Sequence, residues 1–185
     1  MAMSTSSQSP VTLHTERLIL RPFETADVDD VFEYARDREF GRFLAVPVPY
    51  AREDAERYVE IQVEADWSKL ASLAITYRGS VVGGIDLRID PPERNAGMGY
   101  SVARPLWGRG LVTEAAAAVI GLAFESYRLH KVWAHADVRN RASWRVMEKL
   151  GMSREGLLRE HHMVRGEPGD VYSYGILYSE WQRSR

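Results

Sequence analysis

The sequence predicts an α/β domain in which helices flank a mixed, mostly antiparallel sheet, in the order β-α-α-β-β-β-α-β-α-β-β. Three observations carry that reading. Two strand-like runs, Leu70 to Tyr77 and Val81 to Ile89, are separated by Arg78-Gly79-Ser80, a hairpin signature. A third run, Ala96 to Ala103, halts at Arg104-Pro105 and passes through Gly108-Arg109-Gly110 into an apolar, Ala-rich stretch, Ala115 to Phe124, that suits a helix. Asn140 and Gly151 then stand as the N-cap and C′ residues of a further helix.

The remaining elements follow in chain order. Met1 to Pro10 is Ser-rich and has no apolar h-region, so it does not read as a secretory signal. Residues 1–12 are expected to be a disordered tail and residues 13–185 a single domain. Arg17 to Phe23 alternates as a first strand, with Pro22 near its end. Thr25 can cap a helix that places Val28, Val31, Phe32 and Ala35 on one face. Pro47 and Pro49 mark Gly41 to Tyr50 as a loop. A second helix runs from about Arg52 to Asp66 and turns Ala55, Tyr58, Val59 and Val63 inward. Lys131 to Ala136 is a short strand, and Val146, Met147 and Leu150 stripe the helix after Asn140. Two strands close the chain, Ser153 to Val164 and Val171 to Tyr178, joined at Arg165-Gly166-Glu167.

Composition narrows the function. The 185 residues, 45% hydrophobic and 27% charged, are typical of a globular protein with a real core. A net charge of −2 gives no basic footprint, which argues against nucleic acid as a partner. The absence of cysteine excludes disulfides, thiolate nucleophiles and Cys-ligated zinc, and a cytoplasmic location fits. No apolar run reaches the length of a membrane span. The five histidines show no H-x-x-x-H spacing, and His161-His162 would face opposite ways on a strand, so no metal is expected.

The glycine turn has the clearest chemistry. A strand, a short turn and a helix together aim free N–H groups and a helix N-terminus at an anion. Gly108 and Gly110 lack a Cβ and let a phosphate approach the main chain, while Arg109 can add a charge-assisted contact. An ordinary strand-to-helix turn would be spelled the same way. A P-loop is excluded because no Lys follows Gly110, and a dinucleotide fingerprint because Thr113 stands where a small residue belongs.

Four segments in sequence order resemble the Gcn5-related N-acetyltransferases (GNAT), in their RimJ/RimL-like branch. They are Thr15-Glu16-Arg17-Leu18-Ile19-Leu20-Arg21-Pro22; Gly99-Tyr100 with Trp107 to Ala115; Asn140 to Met152; and Glu155-Gly156 with Asp170 to Tyr174 and Glu180-Trp181. The resemblance implies a GNAT-type sheet, acetyl-CoA as donor and a primary amine as acceptor, with direct attack and no acyl-enzyme. It implies that the CoA diphosphate meets Trp107, Gly108, Arg109, Gly110, Leu111, Val112 and Thr113. It also implies that the pantetheine arm lies along Ser101, Val102 and Ala103, in a gap between that strand and the next. Asn140 would touch the cofactor or a water, Arg145 could reach a CoA phosphate, and Ser143 would give a proton to sulfur.

The chain departs from the family pattern at Trp107 and Val112, and at Gly97, where relatives often carry Glu. The general base is therefore open between Asp86 and His135, and a CoA-binding module without turnover stands as an alternative to an enzyme. The acceptor is expected to be a protein N-terminus or a small-molecule amine. Its pocket would be built from Arg42 to Tyr50 and Val164 to Asp170, in a monomer or homodimer. An α-amine of pKa about 8 is roughly one-tenth neutral at pH 7, whereas a lysine amine of about 10.4 is neutral in fewer than about one molecule in a thousand. A site without a strong base therefore favours α-amines.

Overall fold

The computed structural model describes residues 9–184, so most of the expected tail lies outside the described residues. Val11, which the tail reading leaves out of the domain, is partly buried against the core. Eight strands form one sheet in the order β1-β2-β3-β4-β5-β6-β8-β7, in which only β5 and β6 run parallel. The expected fold class matches this arrangement.

The expected first strand is shorter and is preceded by another. Leu13–His14 (β1) pairs with Ile19–Arg21 (β2) across a tight turn in which the Leu18 N–H donates to Thr15 Oγ1 at 3.0 Å. A 3-10 turn, Thr25–Asp27, leads into α1 (Val28–Ala35). Thr25 is exposed and does not cap this helix. Asp27 organises the entry instead: its buried carboxylate accepts the Glu24 N–H at 2.8 Å and the Arg21 guanidinium at 2.7 and 2.9 Å. Charge-assisted bonds of this kind outcompete a neutral hydroxyl.

Helix α2 (Arg52–Val63) buries Ala55 and Val59 as expected, but Val63 is 45% exposed. The helix ends there, and Trp67 in the following turn is buried in the other core cluster, away from the Ala55 and Val59 face of α2. β3 (Leu70–Tyr77), β4 (Ser80–Asp90) and β5 (Asn95–Val102) form an antiparallel meander. After α3 (Leu111–Glu125) come β6 (Lys131–Asp137), α4 (Arg141–Lys149), β7 (Ser153–Val164) and β8 (Glu167–Leu177). An unexpected short helix, α5 (Tyr178–Arg183), follows β8 and packs Tyr178 and Trp181 against Phe124 at centroid distances of 5.6 and 5.3 Å.

The two faces of the sheet bury different clusters. On one, α3 lies against Ile85, Met98, Val132 and Ile176, and its Ala115, Ala116 and Ala123 let the helix sit close to the strands. On the other, α1 and α2 cover Phe23, Ala74 and Val81. The sheet is not continuous between these layers. β5 pairs with β6 only at Asn95–Lys131, Ala96–Val132 and Gly97–Trp133, whereas β6 pairs with β8 over its whole length. Beyond Gly97 the two strands diverge, and β5 keeps its partner on the β4 side alone.

Phe124 joins α3, the sheet and α5, and is 2% exposed. Phe124→Ala is expected to cost about 3–5 kcal/mol, through lost transfer energy plus a cavity. Urea unfolding should show this as a lower midpoint with an unchanged m-value.

Candidate active site

The glycine turn adopts a conformation that its residues dictate. Gly108 and Gly110 have φ of +75° and +78°, a region that L side chains rarely occupy. Gly110 is the residue before α3, and the first helical bond runs from the Glu114 N–H to the Gly110 carbonyl at 3.0 Å. The amides of Leu111, Val112 and Thr113 precede that bond and have no carbonyl within the helix to meet. Arg109 is exposed between the glycines, Val112 and Thr113 are half-buried, and Leu111 is buried in the core. The Trp107 indole N–H donates to the Val102 carbonyl at 2.8 Å, tying the turn to the end of β5.

The β5 edge follows from the ladder. The Ala103 N–H donates to the Val82 carbonyl at 2.7 Å, while the Val102 carbonyl turns the other way, to Trp107. Antiparallel bonding alternates, so Ser101 and Gly99 bond towards β4 and Met98, Tyr100 and Val102 turn towards the gap. Among Ser101, Val102 and Ala103, only the Val102 amide is directed into the gap, because the ladder engages the amides of the other two.

On the α3 face, Asn140 caps α4 by accepting the Ser143 N–H at 3.2 Å. The Tyr100 hydroxyl donates to the Ser143 carbonyl at 2.9 Å and lies 3.1 Å from Ser143 Oγ. Burial pushes the Tyr100 phenol up to about 12, against a smaller lowering from Ser143, so it remains protonated. Tyr100 was legible only as a letter of the Gly99-Tyr100 motif, and its contact with Ser143 joins residues 43 positions apart. The start of α4 is anchored by Asp137, whose carbonyl accepts the Asn140 N–H at 2.8 Å. Hydrogen bonds from the Arg139 side chain first, then its backbone and His162, lower the buried Asp137 carboxyl to about 2 against the cost of burial.

The opposite face of β5 carries a different set. Gly99 faces Asp86 across the β4–β5 ladder, and a Cβ at Gly99 would lie 2.8 Å from Asp86 Oδ2. Asp86 Oδ1 is buried without a hydrogen bond among the described residues, and the Arg88 guanidinium is 3.6 Å away. Burial raises the Asp86 carboxyl above its ordinary range, and Arg88 offsets this only in part. Gly97 has no acid because it has no room for one: a Cβ there would meet the Trp133 ring at 2.8 Å. Trp133 lies 4.7 Å from the His135 ring, which meets His161 edge-on at 5.0 Å. Burial, then His161 and Arg88, lower the His135 pKa, so that its ring is neutral near pH 7.

The structure thus places Ser143 and Asn140 beside Tyr100 on one face of β5 and Asp86 beside Gly99 on the other, with the glycine turn beyond the end of that strand. Arg145 is exposed on α4 and makes no ion pair among the described residues. The tip of the β7–β8 hairpin reaches the segment after α1, where Arg165 donates to the Arg38 carbonyl at 3.1 Å; Arg38 lies outside Arg42 to Tyr50, so this bond does not join the two loops expected to frame the acceptor. Among the described residues, no group of three or more histidines and carboxylates could hold a metal ion, and no helix is long and apolar enough to cross a membrane.

Comparison with known proteins agrees with this geometry. Residues 17–153 match the family model of the acetyltransferase (GNAT) domain. The chain is 30% identical over 176 residues to the uncharacterized N-acetyltransferase p20 of Bacillus licheniformis, covering 92% of this chain and 98% of the relative. It is 25% identical over 88 residues, 48% of this chain and 45% of the relative, to the [ribosomal protein uS5]-alanine N-acetyltransferase of Escherichia coli (strain K12). It superposes with a TM-score of 0.83 and 28% identity on a GNAT-family acetyltransferase crystal structure from Bacillus anthracis, covering 92% of this chain and 100% of that one. With its matched model, its full-length relative and its interrupted sheet in agreement, the chain belongs to the GNAT family of N-acetyltransferases, whose acetyl donor is acetyl-CoA.

Proposed function

We propose that this N-acetyltransferase acetylates an α-amine, at a protein N-terminus or on a small molecule of similar pKa, by direct attack on the acetyl-CoA thioester. The observation that carries the reading is the opening beyond Gly97, which has a hydroxyl pair on one side and a carboxylate on the other. Acetyl-CoA supplies the activated acyl group. The free amides after Gly110 and the exposed Arg109 fit its diphosphate, and the β5 edge at Tyr100 and Val102 fits its pantetheine arm. A relative named for the alanine of ribosomal protein uS5 supports a protein N-terminus as acceptor.

In this reading Asp86 takes the proton of the attacking amine, directly or through a water. The Val102 amide steadies the oxyanion, and Ser143, backed by Tyr100, gives a proton to the departing sulfur. Asn140 holds the first turn of α4, and so the Ser143 hydroxyl, in place. Asp86 occupies the adjoining strand, opposite Gly99, and supplies the acid missing at Gly97, which removes the motive for a module without turnover. A carboxylate is a weak base towards lysine, whereas an α-amine already has a neutral fraction near pH 7.

Three measurements test the assignment. Arg109→Glu places a negative charge beside the diphosphate and should raise the acetyl-CoA Kd by about tenfold or more without shifting the melting temperature, as read by calorimetry. An unchanged Kd would move the diphosphate elsewhere.

Ser143→Ala and Tyr100→Phe should each lower kcat by about 10²–10⁴ while the acetyl-CoA Kd stays within a few-fold. Full turnover by Ser143→Ala alongside a slow Tyr100→Phe would make the tyrosine the donor and leave Ser143 as a helix residue only.

Asp86→Asn should lower kcat/KM by about 10²–10⁴ and abolish the fall in rate as the pH drops through the raised Asp86 pKa. The stability effect has the opposite sign. A raised folded-state pKa means that the folded protein holds the proton more tightly, so stability is full below the unfolded value and is lost as pH rises through the folded one. Asp86→Asn should therefore melt higher than wild type at pH 7 and lose that advantage below the ordinary carboxylate pKa. A variant that is both active and no more stable would remove Asp86 from the site.

A further inference from the structure

The turn between β1 and β2 carries Thr15 and Arg17, to which the reaction above gives no task, yet both reach across the sequence to the glycine turn. Glu114, in the first turn of α3, accepts Thr15 Oγ1 at 2.5 Å and the Arg17 N–H at 2.8 Å on one oxygen, and Arg17 Nε at 2.6 Å on the other. The same guanidinium donates through Nη1 to the Arg109 carbonyl at 3.0 Å. A Cβ at Gly110 would stand 3.6 Å from Arg17 Nη2, so the guanidinium lies directly beside the turn. Thr15 is fixed in its own right by the Leu18 N–H.

Two physical consequences follow. A peptide unit is planar and trans, so the carbonyl of Arg109 and the N–H of Gly110 point in opposite directions. Arg17 holds that carbonyl, which fixes the Gly110 N–H on the side away from Arg17. Glu114 is also an anion at the positive end of α3, where it would repel an anionic ligand. Burial pushes its carboxyl up, but the bonds from Thr15 and from the backbone and side chain of Arg17 outweigh this and lower its pKa. Both oxygens are thus turned inward and neutralised.

We propose that Thr15 and Arg17 are positioning residues for the acetyl-CoA diphosphate, acting through Glu114 and the Arg109 carbonyl to aim the turn and silence a competing charge. The proposal rests on the diphosphate reading given above and goes beyond it, since it gives residues outside the glycine turn a part in placing the ligand.

The test compares two donors, acetyl-CoA and S-acetylpantetheine, which has the same thioester but no diphosphate. Arg17→Ala should raise the acetyl-CoA Kd and KM by about five- to twentyfold, with kcat at saturation within about twofold. It should leave kcat/KM for S-acetylpantetheine at the wild-type value. Arg17→Lys should restore little, because an ammonium cannot bridge Glu114 and the Arg109 carbonyl as a planar fork does. If Arg17→Ala folds too poorly, as judged by thermal melts, Arg17→Gln, which keeps the bulk but loses the charge and the fork, is measured in its place and should show the same split between donors. Equal losses with both donors would overturn the proposal, since the turn would then serve the fold alone. An unchanged acetyl-CoA Kd in Arg17→Ala, with Arg109→Glu still weakened, would overturn it while leaving the diphosphate site standing. No effect from either variant would overturn both.

Discussion

The structure depends on a competition for β6. That strand has two possible neighbours, and it takes β8 along its whole length but β5 only as far as Gly97. A parallel ladder is slightly weaker per residue than an antiparallel one, so the choice is physically reasonable. Its result is a length of strand with backbone groups that no ladder satisfies. Unpaired main-chain groups of this kind are costly when buried, and the protein satisfies one of them itself, with the Trp107 indole on the Val102 carbonyl. The others face a gap between two packed layers, where a ligand with amide groups of its own is the natural partner.

The same gap separates the chemistry into two sides. Strand geometry puts successive residues on opposite faces, so Tyr100 meets α4 while Gly99 meets Asp86. Tyr100 and Gly99 are neighbours along β5, but the proposed proton donor and acceptor beside them are held by different layers, Ser143 by α4 and Asp86 by β4. Each environment sets its own protonation state by burial: the phenol keeps its proton, and the carboxylate is made a better base than a free one. Trp133 completes the division by occupying the space above Gly97, so that the acid is placed one strand over.

How much of this is legible in the sequence depends on the range of the interaction. The strands, the two central helices and the Asn140 and Gly151 caps are local patterns, and the structure reproduces them within a few residues. The misplacements come from partners and ends that periodicity does not show. Thr25 loses the helix entry to Asp27, which Arg21 pairs, Val63 stands exposed at the end of α2, and α5 packs Trp181 on Phe124. In the proposed site, helix spacing puts Asn140 and Ser143 on one face and strand alternation places Asp86, while the roles of the first two come from the family resemblance. The Tyr100–Ser143 contact, the Trp133 ring over Gly97 and the link from Arg17 to Glu114 do not follow from spacing, since each joins side chains that periodicity cannot bring together.

The strand order carries a consequence for the birth of the molecule. β2 to β5, with α1 and α2, are joined by short connections and pair mostly with sequence neighbours, so this half can assemble while the chain is still being made. β6 cannot settle in the same way. Its long partner, β8, leaves the ribosome only after α4 and β7, and the outer strand β7 reaches the sheet only by way of β8. The cleft between β5 and β6 therefore forms only once β8 has emerged, and a nascent chain that stops short of β8 holds half of a cleft with a bare strand beside it.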